Sequence, residues 1–293
     1  MANTASPGTQ LKQALAHEQP LQIVGVINAY CGLLAEQADY RAIYLSGAGV
    51  SNATLGVPDL GVIELGDVVT EANRITAATD LPLLVDGDTG WGNLLSIRRG
   101  VKDLIRAGAA GVHFEDQIDS KRCGHRDGKR LVSVEEMADR IKAAVDARTD
   151  DAFMVMARTD AYGVEGIQAA IDRSNRYVEA GADAIFAEAM HTLDDYQTFT
   201  ANVPVPVLAN MTEFGKSPLL RRDELGDAGV AMVLYPLSAF RAMSKAAAMV
   251  YAAIRKDGSQ RDVVESMQTR DELYDVLNYL QYEQELDNQL GGE

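Results

Sequence analysis

The run Lys121-Arg122-Cys123-Gly124-His125-Arg126 places one of two cysteines among basic side chains, in a segment with no apolar run to bury it. A thiol in cationic surroundings is set up to exchange a proton or to attack carbon. Upstream, Glu115-Asp116 closes the strand-like run Gly111-Val112-His113-Phe114, and Asp86-Gly87-Asp88 lies further back. Carboxylates one residue apart suit a hard divalent cation with oxygen ligands. A reactive thiol beside such a site points to metal-assisted carbon chemistry. Taken alone, a Cys-Gly-His tripeptide reads as a surface thiol in a solvated loop. Its place in the fold decides between the two readings.

The elements that must position these residues follow a regular alternation. Apolar or β-branched runs occur at Leu21–Asn28, Ala42–Ser46, Leu81–Asp86, Gly111–Glu115, Phe153–Arg158, Ala184–Glu188, Val205–Asn210 and Ala231–Tyr235, each followed by a helical stretch. Near-continuous apolar strands are what a parallel sheet covered by helices requires. Between them lie 3.6-period patterns, such as the one through Leu94, Ile97, Val101 and Leu104. The alternation predicts an α/β chain folded as a (β/α)8 TIM-type barrel. A faint repeat supports it: helices end at Gly108, Gly181 and Gly229, and a strand begins at once. Glycine there takes the left-handed conformation at little cost.

Polar side chains collect at the strand ends. Tyr44 to Gly47 ends the second run, Asp86 to Asp88 the third and Glu115-Asp116 the fourth. Arg158-Thr159-Asp160, Glu188, Asn210 to Glu213 and Tyr235-Pro236 end the others. The C-terminal end of the strands is the catalytic face of such barrels. Beyond the last strand, an Ala/Met-rich helix runs to Lys256, and a second helical stretch covers 271–290. We expect a barrel over residues 1–256 and a C-terminal helical extension over 257–293 that packs on a neighbouring subunit.

Composition bounds the function classes. The chain has 293 residues and a formal charge of −16, with 43 acidic against 27 basic residues. So acidic a chain is a poor candidate for nucleic acid or anionic membranes. Nothing approaches the ~20 consecutive apolar residues that span a bilayer, Met1–Gln10 carries no apolar signal core, and two cysteines are no disulfide framework. The expected setting is cytoplasmic. No lysine falls within the strand runs, which argues against a Schiff-base aldolase. The histidines 17, 113, 125 and 191 are scattered, which argues against a zinc site, and His113 is expected to pack within its strand. What remains is an oxygen-ligand site for Mg2+ or Mn2+, arginines for substrate carboxylates, and a loop thiol. Cys31 is expected to be buried.

Lys121-Arg122-Cys123-Gly124-His125 closely resembles the signature of the isocitrate lyase and phosphoenolpyruvate mutase superfamily in its lyase branch. Tyr44-Leu45-Ser46-Gly47, Asp86-Gly87-Asp88-Thr89-Gly90, Ala157-Arg158-Thr159-Asp160 and Asn210-Met211-Thr212-Glu213-Phe214-Gly215 fit the same group in order. The resemblance covers essentially the whole chain. It implies a Mg-assisted retro-aldol cleavage of 2-methylisocitrate, a small tricarboxylate, into pyruvate and succinate, with isocitrate or a related 2-hydroxy dicarboxylate as the alternative substrate. A catalytically silent dicarboxylate-binding barrel is the rival from another class.

By the same resemblance Asp86 and Asp88 hold Mg2+ (Mn2+ as substitute), with Asp59 and Glu115 as the supporting shell. Ser46, Gly47 and Ala48 take the carboxylate of the pyruvate half, and Arg158 clamps the forming keto acid. Glu188, Asn210, Met211, Thr212, Arg241 and Arg270 surround the succinate half, beside Cys123, Gly124 and His125. Cys123 protonates the departing carbon, and either Tyr44 or a metal-bound water takes the hydroxyl proton. Phe186 and Leu234 are the expected lining of a methyl-sized pocket. Asp119 to Arg130 is expected to be a lid, weakly held for want of apolar anchors. A homotetramer with exchanged C-terminal helices is the expected assembly.

Overall fold

The computed structural model describes residues 5–290. Residues 1–4 and 291–293, included above in the barrel and in the extension, lie outside the described residues. The strands are β1 Leu21–Gly25, β2 Ala42–Leu45, β3 Leu83–Asp86, β4 Gly111–Glu115, β5 Met154–Thr159, β6 Ala184–Ala187, β7 Val207–Asn210 and β8 Met232–Tyr235. All pair in parallel with their sequence neighbours, and β8 closes on β1, giving a closed barrel. Every strand expected from sequence is present, most of them a residue or two shorter. Gly108, Gly181 and Gly229 take φ of 82°, 105° and 82°, the left-handed turns expected between helix and strand.

Period-two alternation sorts each strand into two apolar layers. One face, with Ile43, Leu83, Val112, Phe114, Val155, Ile185 and Val233, packs under the helices. The other, with Ile23, Tyr44, Leu84, Met156, Phe186, Leu208 and Leu234, fills the barrel interior. The helix Pro7–His17 adds Leu11 and Ala14 to that interior cluster. Gly8 lies against the Ala152–Phe153 backbone, where a Cβ would fall 2.4 Å from Ala152 C, so this helix plugs the barrel at the strands' N-terminal end.

The chain divides into two compact units between Ser238 and Ala239. This assigns nearly all of the helix Ser238–Asp257 to the second unit, whereas the sequence reading ended the barrel at 256. The second unit continues with Arg261–Ser266, Arg270–Leu277 and Tyr279–Leu290, and none of these elements buries a residue. No helix among the described residues is long and apolar enough to cross a membrane.

Closure of the barrel depends on close backbone approach at Gly25, where an added Cβ would lie 1.7 Å from the carbonyl oxygen of Pro236, just past β8. Backbone cannot yield as a side chain can. Gly25→Ala should destabilise the protein by more than about 3 kcal/mol. Urea unfolding checks it, and an unchanged midpoint would show that the seam is looser than drawn.

Candidate active site

Alternation also decides which polar residues enter the barrel mouth. Tyr44 and Ser46, Asp86 and Asp88, His113 and Glu115, Arg158 and Asp160, Glu188, Asn210 and Thr212 continue the inward-facing positions past the apolar interior, and all are buried. Met211 falls on the opposite parity. Its side chain packs in the layer beneath the helices, so the structure does not bring it to the site.

Asp86 and Asp88 converge. Asp86 Oδ2 and both Asp88 carboxylate oxygens lie 3.2 Å from the point where a Cβ on Gly47 would sit. The Gly47 N–H, expected to face substrate, instead donates to Asp86 Oδ2 at 3.0 Å. Ser46 and Ala48 stand at the start of a short helical turn, Gly47–Gly49, that runs on into Val50–Thr54. Lys121 Nζ sits 2.5 Å from Asp88 Oδ1 and 2.7 Å from Asp59 Oδ1. Asp59 is therefore paired with a lysine. Burial would raise Asp86, but His113, Lys121 and Arg158 hold it low, at about 2. Burial and the Asp86 charge push Asp88 up to about 7 against the pull of Lys121. Burial also raises Glu115 well above the usual carboxylate range. Its Oε2 lies 3.4 Å from Arg158 Nε, and its Oε1 has no hydrogen-bond partner among the described residues.

Arg158 is the hub of the opposite side. Its Nε and Nη2 donate to Asp160 at 2.9 and 3.3 Å, Nη2 lies 3.3 Å from Glu188 Oε2, and the guanidinium stands 5.1 Å from the Phe186 ring centroid. Asn210 Nδ2 donates to both Glu188 oxygens at 3.4 Å. Burial would raise Glu188, yet Arg158 and His125 hold it well below its ordinary value. Tyr44 Oη lies 2.9 Å from His113 Nε2. Burial and the nearby Asp86 push the Tyr44 phenol well above its ordinary value.

The segment after β4 hangs from an antiparallel base, where Ile118 N donates to Arg130 O and Val132 N to Asp116 O. It was expected to be weakly held, but its charges are its anchors. Lys121 and Lys129 are buried, and Lys129 Nζ donates to Asp160 Oδ1 and to Gly124 O. Gly124 lies where a Cβ would fall 2.5 Å from Arg158 Nη2 and 2.6 Å from Glu188 Cδ, so any larger residue would have to displace both side chains. His125 Nδ1 accepts from Lys216 N at 3.0 Å, which leaves the proton on Nε2, 2.8 Å from Glu188 Oε1. Cys123 itself is exposed at the rim, and Cys31 is buried. Arg241 and Arg270 belong to the second unit.

His113, Lys121, Lys129 and Asp160 were not assigned to the site from sequence. Asp160 carried a signal, two residues past Arg158 on the same parity. Among the described residues no group of three or more His, Cys, Asp or Glu side chains is arranged to hold a metal. Two converging carboxylates still fit Mg2+, which is usually bound through one or two carboxylates and keeps several waters.

A closed parallel barrel with a carboxylate-rich, arginine-bearing mouth under a cysteine loop defines a lyase-type (β/α)8 site. Residues 11–255 match the phosphoenolpyruvate phosphomutase family. The chain is 56% identical over 284 residues to a 2-methylisocitrate lyase of Shewanella oneidensis, covering 97% of each protein. It is 57% identical to that of Escherichia coli, covering 97% of this chain and 96% of the relative. Among solved structures, an oxaloacetate acetylhydrolase with the inhibitor 3,3-difluorooxalacetate superposes with a TM-score of 0.90 at 31% identity, covering 98% of both chains. A phosphonopyruvate hydrolase solved with oxalate and Mg2+ gives 0.83 at 29% identity, covering 95% of this chain and 97% of that one. The chain belongs to the phosphoenolpyruvate mutase and isocitrate lyase superfamily, in its 2-methylisocitrate lyase family.

The buried His113 gives a pH signature. Burial lowers its pKa from 6.5 to about 4, so the unfolded chain takes up the proton first. The stability it confers is therefore lost as pH falls from about 6.5 to about 4, by about 3 kcal/mol. Asp116, raised from 3.8 to about 6 by burial and Asp160, acts in the opposite sense over much of that window. Subtraction removes it: the stability of the wild type minus that of His113→Gln should shrink as pH falls through this range. A pH-independent difference, measured by urea unfolding, would mean that His113 is charged in the fold.

Proposed function

We propose that this chain cleaves 2-methylisocitrate to pyruvate and succinate, breaking the C2–C3 bond with a divalent cation, Mg2+ or Mn2+, held through Asp86 and Asp88. The observation that carries the reading is the docking of Gly124 and His125 onto Arg158 and Glu188, which brings the Cys123 loop over the acidic strand ends. Five buried carboxylates, Asp86, Asp88, Glu115, Asp160 and Glu188, face three cations, Lys121, Lys129 and Arg158. The raised Asp88 and Glu115 mark where positive charge is short, and a dication fits that deficit. Bound there, Mg2+ supplies Lewis acidity at the C2 hydroxyl and its neighbouring carboxylate.

The chain's own residues do the rest. Arg158 neutralises the carboxylate of the forming keto acid. Tyr44, or a water beside it, takes the hydroxyl proton from C2. Loss of that proton sends its electron pair into the new C2 carbonyl of pyruvate, and the C2–C3 pair passes to C3 of succinate, delocalised onto the attached carboxylate. Asn210 and Thr212 receive the succinate half. Cys123 gives its proton to C3, leaving a thiolate. Phe186 and Leu234, both in the barrel interior, line the place for the methyl group. The exposed apolar residues of the second unit, including Met249, Tyr251, Leu280, Tyr282 and Leu286, suit burial against another copy, in a homotetramer with exchanged helices. The working compartment is the cytoplasm.

Product analysis with Mg2+ should give pyruvate and succinate in equal amounts, and chelation should abolish turnover. One methyl in an apolar pocket is worth about 10- to 200-fold, so kcat/KM should favour 2-methylisocitrate over isocitrate by that margin. Equal values, or a preference for isocitrate, would overturn the assigned pocket.

Cys123→Ser nearly fills the thiol's space but is far too weak an acid. Turnover should fall about 10²- to 10⁴-fold while substrate still binds. A near-normal rate would return Cys123 to the status of a surface thiol.

A further inference from the structure

We propose that Lys129 is a positioning residue that fastens the Cys123–Gly124 segment to Asp160, the carboxylate that orients Arg158, so that loop placement and the arginine clamp are set by one group. The inference rests on the reading of Cys123 and Arg158 above.

Lys129 lies in a segment of exposed charges, yet its side chain is only 4% accessible. Nζ reaches Gly124 O at 2.5 Å and Asp160 Oδ1 at 2.8 Å. Asp160 already holds Arg158 in a two-pronged contact, so it does not need Lys129 for neutralisation alone. The second bond of Lys129 is the informative one. It runs to a main-chain carbonyl one residue beyond the thiol-bearing position, in a peptide wedged against Arg158 and Glu188 with no room for a Cβ. A flexible ammonium whose only task was charge balance would have no reason to select that carbonyl.

Asp160 is itself fixed from behind. Its N–H donates to Asp116 Oδ1 at 2.9 Å, and Asp116 Oδ2 accepts from Thr159 at 2.7 Å and from Tyr177 at 3.0 Å. The chain of contacts therefore runs from the outer helix Ile167–Glu179 through two buried carboxylates to the loop. Any rotation of Asp160 moves the anchor of the loop and the anchor of Arg158 together. Lys121, by contrast, ties the start of the segment to Asp59 and Asp88, on the other side of the barrel mouth. The two lysines bracket Cys123; Gln117 holds Arg122 on its near side, through Nε2 to Arg122 O at 2.8 Å and Arg122 N to Oε1 at 3.0 Å, and Lys129 holds the Gly124 carbonyl on its far side.

Lys129→Met removes both bonds while keeping the bulk of the chain. With saturating Mg2+, a misplacement of about 1 Å at the reacting groups should lower kcat about 100-fold, with KM for 2-methylisocitrate changed less than about threefold because the binding groups remain. In substrate-free protein, trypsin cleavage after the exposed Arg122 and Arg126 should rise about tenfold as the loop detaches more often. Melting curves set the folded fraction, and a merely structural lysine would lower kcat only in proportion to it. If Lys129→Met does not fold, Lys129→Gln, which keeps a donor but no charge, carries the same readouts. Turnover within about threefold of wild type, or unchanged cleavage, overturns the proposal. If the wild type does not cleave 2-methylisocitrate, the function fails and the cleavage arm alone decides: faster cleavage sustains the clamp, and equal cleavage ends it.

Discussion

Pairing of buried charge is the constraint on which the rest of this structure depends. Six acidic side chains, Asp86, Asp88, Glu115, Asp116, Asp160 and Glu188, are taken out of water at the mouth of one barrel. An unpaired buried carboxylate costs several kcal/mol or takes up a proton. The mouth is therefore organised around the few cations that can reach it. Arg158 serves Asp160, Glu115 and Glu188 together, Lys121 bridges Asp59 and Asp88, and Lys129 reaches Asp160. Two of these three come from the loop after β4. Its charges, which on a solvated surface would leave it mobile, here dock it.

The barrel supplies the geometry that makes this pairing possible. Inward side chains of a parallel strand recur every second residue, so one register fixes apolar interior below and polar mouth above. Met156 and Arg158, Phe186 and Glu188, and Leu208 and Asn210 are such pairs. The lower member of one carries part of the site: Phe186 lies under the Arg158 guanidinium and edge-on to His113. A substitution meant for the core would thus reach the site through a single ring. The same parity excludes Met211 while admitting its neighbours Asn210 and Thr212.

Much of this was legible in the sequence, for an identifiable reason. The strands, the bottom glycines and the inward polar residues all follow from local pattern, because period-two burial and left-handed turns leave marks within a few residues of where they act. Long-range electrostatics leaves no such mark. Lys121 and Lys129 look like the other charges of their loop, and only the folded distances to Asp88 and Asp160 distinguish them. His113 reads as a strand residue in an apolar run. Its role depends on Tyr44 and Asp86, which approach it from β2 and β3. The Gly47 amide, expected to be open to substrate, is engaged by Asp86 because the β2 and β3 ends lie side by side.

The two halves of the mouth are electrostatically unlike, and the difference bears on their tasks. Around Arg158 the acids outnumber the cation, but Asp160 accepts hydrogen bonds from Arg158 and Lys129, Glu188 accepts from Asn210, and the nearby Arg158 and His125 hold Glu188 well below its ordinary value. That half holds its two best-paired acids through the chain's own donors, and a rigid clamp needs such pairing. Around Asp88 the balance is worse. Asp88 sits near 7 with Lys121 beside it, and burial raises Glu115 well above the usual carboxylate range even with Arg158 Nε 3.4 Å away. A site left short of positive charge is held ready for a cation that is not part of the chain, whereas a fully paired site would have to lose contacts to admit one. The asymmetry fits the proposed metal on the β2–β3 side and the proposed clamp on the β5–β6 side. The cysteine loop spans the two, with one lysine anchored in each.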